Sequence, residues 1–400
     1  MTSTAHFDHA VIGRGLFGSA AARHLALSGA GSVVLIGPGE PADRRTHRGP
    51  YASHYDQGRL TRRISPDRLW AEMTERTFAA VAELESLTGR EILRPVGALV
   101  VNSPGVEPRH DRSWAREPDG TPAPHTVYPP EDNSWRKRFP ELDFPPGVTV
   151  LHEPAPAGML NPRSLVAAQI DAATERGLVT VDEPAVDAAE DARGVTVTLA
   201  SGAQVRAGKV LVATGSYANH FGLLPEPLPV TVETEIYMLG TVSDADGERL
   251  TDLPTVHFTL AHPEIADVYL TPPVLYPDGR WKVKMGANTT SDTDLHELTA
   301  IGEWVRRGDT DVAFDAMADT MRSILPTTGF ESFETGPCII TMTRSGYPII
   351  ARVTERRYVA VAGNGSGAKA SDGWGGLAAD LLTGNPWPNW VDPAVLRPAA

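Results

Sequence analysis

Three glycines at fixed spacing, in Gly13-Arg14-Gly15-Leu16-Phe17-Gly18, are the first residues whose pattern implies chemistry. Gly13 permits a tight turn, Gly15 lets backbone approach a pyrophosphate, and Gly18 lets a helix pack closely on a strand. The setting is the required one. Apolar Ala10-Val11-Ile12 precedes the glycines and an alanine-rich stretch from Ser19 to Leu27 follows them. They therefore join a strand to a helix N-terminus, whose free N–H groups and positive dipole end favour phosphate. Gly29 stops the helix, and a second apolar run, Ser32 to Ile36, completes a βαβ unit. In such units an acidic residue usually ends the second strand and holds ribose hydroxyls. Gly37 stands there instead, so either Glu40 reaches back or backbone groups serve in the acid's place. That departure favours a permanently held cofactor over a freely exchanging one.

The elements that must position this cradle follow from the rest of the chain. Its 400 residues suit two domains or one large interleaved body, and 41% hydrophobic with 22% charged residues describe an ordinary globular protein. A net charge of −14 argues against nucleic acid as a partner. No signal segment and no apolar run long enough to span a membrane is evident, so a cytoplasmic protein is expected. One cysteine, Cys338, excludes an internal disulfide framework and a multi-cysteine zinc site. His47, His54 and His110 lack metal spacing and read as solvated loop residues, so no metal is expected. The cluster Arg44 to Arg48 reads as a loop over a pyrophosphate or as a solvated face.

Residues 68–89 have helical spacing, and a strand is expected at Ala98 to Val101. Residues 102–149, rich in Pro, Asp, Arg and Trp, read as a long surface excursion. A helix follows within 158–176, with Asn161 as cap and Pro162 in its first turn. Strands are expected at Val179 to Val181, Val195 to Leu199, and Lys209 to Ala213. The last runs into Thr214-Gly215, a second close approach of backbone to a nucleotide. Residues 230–290 alternate as an antiparallel sheet does. Asp311 is expected to cap a helix reaching Leu325. Strands at Ile339 to Met342 and Tyr358 to Ala362 precede a glycine-rich turn, Gly363 to Gly367, and a final helix near 373–383.

Four separated segments carry a family resemblance: the opening glycine cradle; Ser53-His54-Tyr55-Asp56-Gln57-Gly58-Arg59-Leu60-Thr61-Arg62; Trp281-Lys282-Val283-Lys284-Met285-Gly286; and Cys338 to Thr343 together with Gly363 to Lys369. In this order they resemble the monomeric sarcosine oxidase group of the D-amino-acid-oxidase superfamily, which are FAD-dependent amine oxidases. The resemblance implies an α/β fold in which a Rossmann-type FAD-binding domain (1–70, 150–220, 330–400) interleaves with a mixed or antiparallel-sheet substrate domain (71–149, 221–329). It implies FAD held by Gly13, Gly15, Gly18, Glu40, Gly215, Gly365 and Gly367, with a thioether from Cys338 to the ring's 8-methyl carbon. By residue type alone Cys338 would read as a buried small hydrophobe, but its place before a β-branched strand and ahead of the glycine-rich turn favours the flavin link.

The resemblance further implies that Arg62 and Lys369 bind a substrate carboxylate, the first as a fork and the second as a point charge. Arg63 beside Arg62 is the alternative inward residue. Lys284 resembles the lysine that activates oxygen, with Lys282 on the same strand face as the alternative. Arg59 and Tyr55 are expected beside the flavin. Tyr55, Asn288 and Ile340 depart from the family's two histidines and one tyrosine, so the surroundings of the substrate differ from those of a sarcosine oxidase. The expected partners are a small amine and oxygen, and the expected state is a monomer. The implied reaction oxidises a secondary or tertiary amine bearing a carboxylate to an imine, with hydrogen peroxide. The alternatives are an amine dehydrogenase using another acceptor and a nonenzymatic nucleotide-binding protein.

Overall fold

The computed structural model describes residues 5–65, 67–106, 115–116, 120–307 and 313–398. The strand Ala5–Ile12 lies at the centre of one sheet, paired in parallel with Val33–Ile36 on one side and Gln204–Val212 on the other. Gln204–Val212 also pairs in parallel with Arg357–Val361, and Val33–Ile36 with Val179–Val181. Parallel strands covered on both faces need continuous apolar runs. Ala10 to Ile12 and Val33 to Ile36 are accordingly all buried. An antiparallel extension, Ala185–Asp191 with Gly194–Leu199, edges this sheet.

The helix Leu16–Ser28 packs on the sheet and against the final helix, Ser371–Thr383. Small residues make that approach possible: a Cβ on Gly375 would collide with Ala20. Gly29 ends the first helix with φ 67°, and Asn161 caps Pro162–Thr174 by accepting from the Ser164 N–H at 3.0 Å.

The second sheet has eight strands in the order Phe330–Thr343, Val230–Val242, Trp281–Thr289, Ile265–Leu275, Thr255–Thr259, Ala98–Asn102, Thr149–Glu153 and Thr126–Tyr128. Only the pair Thr255–Thr259 with Ala98–Asn102 runs parallel. Along Val230–Val242 the alternation separates two faces. Val232, Thr234, Ile236 and Met238 are buried, while Glu233, Glu235 and Tyr237 between them keep partial access. A mixed α/β architecture follows, with a largely parallel sheet and a largely antiparallel one.

One expectation needs correction. The excursion at 102–149 is not purely a surface feature. Trp135, Leu142 and Phe144 from it are buried in the same core as Leu99, Phe258 and Met285, because its few large apolar side chains cover one face of the antiparallel sheet. Asp311 lies outside the described residues, as does His110. The helix it was expected to cap runs Phe314–Ile324, and Ala313 at its start has φ 55°.

Candidate active site

A cavity of about 720 Å³ extends from the glycine cradle to Asn288 on the antiparallel sheet. Its first wall is mostly backbone. Gly13 has φ 116°, and a Cβ there would strike the Ala213 carbonyl; one on Gly18 would strike the Gly13 carbonyl. A Cβ on Gly15 would meet no protein atom within 4 Å. Gly15 also caps the helix without any side-chain hydrogen bond, so the first helical N–H groups face the open space. Gly215, with φ 54°, and the turn Gly363–Gly367 complete this wall, Gly365 having φ 68°. The Thr214 hydroxyl on the same wall is buried and lacks a partner among the described residues.

Gly37 lines the cavity, and a side chain there would crowd the Arg14 backbone N at 2.9 Å, which explains the missing acid. Glu40 does not replace it. Its carboxylate is held by Arg163, with Nε at 2.8 Å, and it is not among the lining residues. Residues 44–48 also lie off the lining, and Arg44 instead donates to the Val305 carbonyl.

The second wall consists of side chains from distant segments. Arg62 and Lys369 are both buried and both line the cavity. Arg62 donates to the Ile64 carbonyl at 2.6 Å. Arg63, the alternative, turns to Glu153, which accepts from its backbone N–H at 3.0 Å and lies 3.4 Å from its Nε. Among the described residues no carboxylate pairs with the Lys369 ammonium. Burial first, and then the Arg62 charge, push its pKa down to about 7.

Lys284 is 1% exposed, and its ammonium is held by the Asp56 carboxylate and by the Gly58 carbonyl at 3.3 Å. Tyr237 and Tyr269 each present a ring 5.1 Å from it. Burial and then the Arg59 charge pull its pKa well below the usual lysine value, while Cys338 and Glu235 work the other way. Lys284 stands behind the cavity surface and is absent from the lining residues. Lys282 is held by Glu334 at 2.6 Å and Asp278 at 2.7 Å. Arg59 lines the cavity, shares Asp56 with Lys284, and donates to the Ser53 carbonyl at 2.9 Å.

Tyr55 lines the cavity edge-on to Tyr51, 5.0 Å between centroids, with its hydroxyl 3.4 Å from the Pro38 carbonyl. His54 is not a solvated loop residue. It is buried on the lining beside Tyr55, and burial drives its pKa down to about 3, so it is neutral. His47 remains on its loop, bonded to the Pro50 carbonyl at 3.1 Å.

Asn288 lines the far end and donates to Asp267 at 2.8 Å, and Ile340 lies on the lining opposite Glu233 in the strand register. Cys338 lies directly opposite Glu235 in the same register, and both line the cavity. Sequence reading missed Asp56, Glu235, Asp267 and Asp292. Asp56 was within a segment already singled out. Glu235 and Asp267 occupy polar positions of alternating strands, which sequence alone cannot separate from a wet face, and Asp292 lies in the turn after Trp281–Thr289.

The fold and geometry agree with comparisons to known proteins. A family described as FAD dependent oxidoreductase matches residues 8–381. The chain is similar to a monomeric sarcosine oxidase of Streptomyces avermitilis, 27% identical over 388 residues, covering 94% of each protein. Among solved structures it resembles the Tyr258Phe mutant of NikD, described as an unusual amino acid oxidase, with TM-score 0.75 and 20% identity over 99% of this chain and 98% of that one. It also resembles glycine oxidase from Geobacillus kaustophilus, with TM-score 0.69 and 20% identity over 99% of each.

Proposed function

This chain belongs to the FAD dependent oxidoreductase family, and on that premise we propose that it oxidises a secondary or tertiary amine bearing a carboxylate. Membership removes the nonenzymatic alternative. The residues fit the cofactor: the open Gly15 approach and the uncapped helix start suit a pyrophosphate, and the unpaired Thr214 hydroxyl offers a further hydrogen bond. FAD would lie along the glycine wall, with Cys338 as its covalent anchor. When bound, it supplies the two-electron acceptor.

The observation that carries the substrate reading is the convergence of Arg62 and Lys369 on one lining. Two buried cations side by side repel each other, and although Glu153 offsets part of that repulsion, an anion entering the cavity would offset more. A substrate carboxylate is the anion that suits this pair. Arg62 and Lys369 would fix it, and with it the neighbouring C–H bond. Neutral His54 and the Tyr55 ring would exclude water beside that bond. The substrate amine must be neutral to lose electrons, and the product is an imine that hydrolyses. Oxygen would take up the electrons near Lys284, giving hydrogen peroxide.

One observation favours a second reading, in which the electrons pass to another acceptor. The Lys284 ammonium is neutralised by Asp56 and sits behind the cavity surface, so its pull on a reduced-oxygen anion is weakened.

Anaerobic mixing with a panel of N-methyl and cyclic amino acids tests the proposal. Bleaching of the flavin band by carboxylate-bearing amines, but not by their decarboxylated analogues, is the expected result. Absence of bleaching across the panel would sink it. Peroxide formed per imine separates the oxidase from the dehydrogenase.

A further inference from the structure

The strand pair Val230–Val242 and Phe330–Thr343 places Glu235 directly across from Cys338. Directly opposed side chains on one sheet face have Cβ atoms about 5 Å apart. Both residues line the cavity, so the carboxylate and the thiol face each other at its wall. No cation is hydrogen-bonded to Glu235 among the described residues. The other titratable groups around this pair are Arg59, Lys284, Asp292, and the Tyr51, Tyr237 and Tyr269 hydroxyls.

A thiol in this place is a poor nucleophile by itself. Burial first, and then the Glu235 charge, raise its pKa to about 11, so at neutral pH almost none is thiolate. Burial also raises the Glu235 pKa, which makes that carboxylate a stronger base than a solvated one. The same neighbour that discourages a standing thiolate can therefore accept the proton as the sulfur reacts.

We propose that Glu235 is the general base that takes the thiol proton when FAD is attached covalently at Cys338. The inference rests on the reading above that Cys338 is the anchor. Attachment forms one bond, from Cys338 Sγ to the carbon of the ring 8-methyl group. It breaks the S–H bond, whose proton passes to Glu235, and one methyl C–H bond, whose proton passes to solvent. The two electrons left behind reduce the ring, which takes up two protons in turn. Dioxygen then accepts both electrons and both protons, giving hydrogen peroxide and the oxidised, attached cofactor. Arg59 and Lys284 lie close enough to stabilise the negative charge that builds up during the transfer.

The test uses full-length protein produced under riboflavin limitation and then mixed aerobically with FAD. Attachment is followed by intact mass and by colour retained in the acid-precipitated pellet, between pH 7 and pH 10. Wild type, Glu235→Gln, Glu235→Asp and Cys338→Ser are compared. Wild type should gain the mass of FAD, and Cys338→Ser should not. Glu235→Gln should attach at least about tenfold more slowly at pH 7.5, because the thiol must ionise unaided. Its rate should climb by about tenfold per pH unit toward the thiol pKa, a steepness absent from wild type. Glu235→Asp should recover much of the rate. The visible spectrum of noncovalently bound FAD checks that each variant still folds and binds.

Attachment in Glu235→Gln at the wild-type rate, or slowed with an unchanged pH profile, overturns the assignment of Glu235. A wild type that binds FAD but never gains its mass overturns the anchor reading beneath it.

Discussion

The two walls of the cavity recognise by opposite means. One, at Gly13, Gly15, Gly215 and Gly363 to Gly367, works by leaving side chains out. The other, at Arg59, Arg62, Glu235, Asn288, Cys338 and Lys369, works by bringing side chains in from five regions of the chain. The first wall can be read locally, because backbone approach needs glycines at fixed spacing. The second exists only after the two sheets have met. The glycines of the cradle also divide by what a methyl group would meet, Gly15 lying on the lining and Gly18 behind it. A Cβ on Gly18 runs into the Gly13 carbonyl, whereas one on Gly15 enters open space. Gly18→Ala should therefore destabilise the fold by about 3 kcal/mol or more, seen as lost soluble yield or a lowered melting temperature. Gly15→Ala should leave the apoprotein's melting temperature nearly unchanged and weaken FAD binding by about tenfold or more. Equal loss of apoprotein stability in both variants would erase the distinction.

On the side-chain wall the largest effect should come from the carboxylate clamp. Charge-assisted hydrogen bonds contribute about 1.5–3 kcal/mol each, so Arg62→Ala should lower kcat/KM for a carboxylate-bearing amine by about 100-fold. The decarboxylated analogue, already a poor substrate, should lose far less. Lys369 adds a pH dependence. Its pKa is lowered to about 7, chiefly by burial and then by Arg62. Below pH 7 the ammonium attracts a carboxylate, and above it the charge is lost. The Kd of a small carboxylic acid without an amine should therefore rise by about tenfold between pH 7 and pH 8.5. Lys369→Met should bind weakly and flatten that rise. Choosing a ligand without an amine matters, because deprotonation of a substrate amine would mask the trend.

What sequence revealed divides along the same line. Gly13, Gly15 and Gly18 carried their positions in their spacing, and the helix starting at Pro162 carried its own start in Asn161. Arg62, Lys369 and Cys338 are found on the lining, yet nothing local could separate Arg62 from Arg63. That choice is made by Glu153, ninety residues away, which captures Arg63. Glu40 looked available for a ribose because Arg163 lies on another element. His54 looked solvated because its loop is polar, whereas the folded chain buries it. Asp56 was visible as a residue, but its part in holding Arg59 and Lys284 together depends on the distant strand Trp281–Thr289 coming beside its loop.

That carboxylate offers a sharper test of how electrons leave. If oxygen reacts near Lys284, then Lys284→Met should slow reoxidation of the reduced enzyme by oxygen by about tenfold or more, with anaerobic reduction by substrate little affected. An artificial acceptor should reoxidise both forms equally. If Asp56 chiefly keeps the buried ammonium charged, Asp56→Asn should slow the oxygen step too, and increasingly so as pH rises, because burial favours the neutral amine. Oxygen reactivity indifferent to both substitutions would favour the dehydrogenase reading.

The smallest expected effect concerns the end of the cavity away from the clamp. Glu233, Asp267 and Asp292 line it beside Asn288. Burial first, and then the charges of Asp292 and Asp294, raise the pKa of Glu233. Burial likewise raises that of Asp292, with Asp267 adding to it. These carboxylates already resist one another, so a substrate with a second carboxylate at this end meets like charge on arrival. On the proposed reading the clamp would attract one carboxylate and the far end would discourage another, which would orient the molecule and narrow its class. Glu233 keeps partial access to solvent, and screening limits its share to about 1 kcal/mol. Glu233→Gln should accordingly raise kcat/KM for a dicarboxylate amine by about fivefold relative to its monocarboxylate counterpart. The gain should shrink at high salt. An unchanged preference, or a gain shared equally by both substrates, would mean that the far end takes no part in selecting charge.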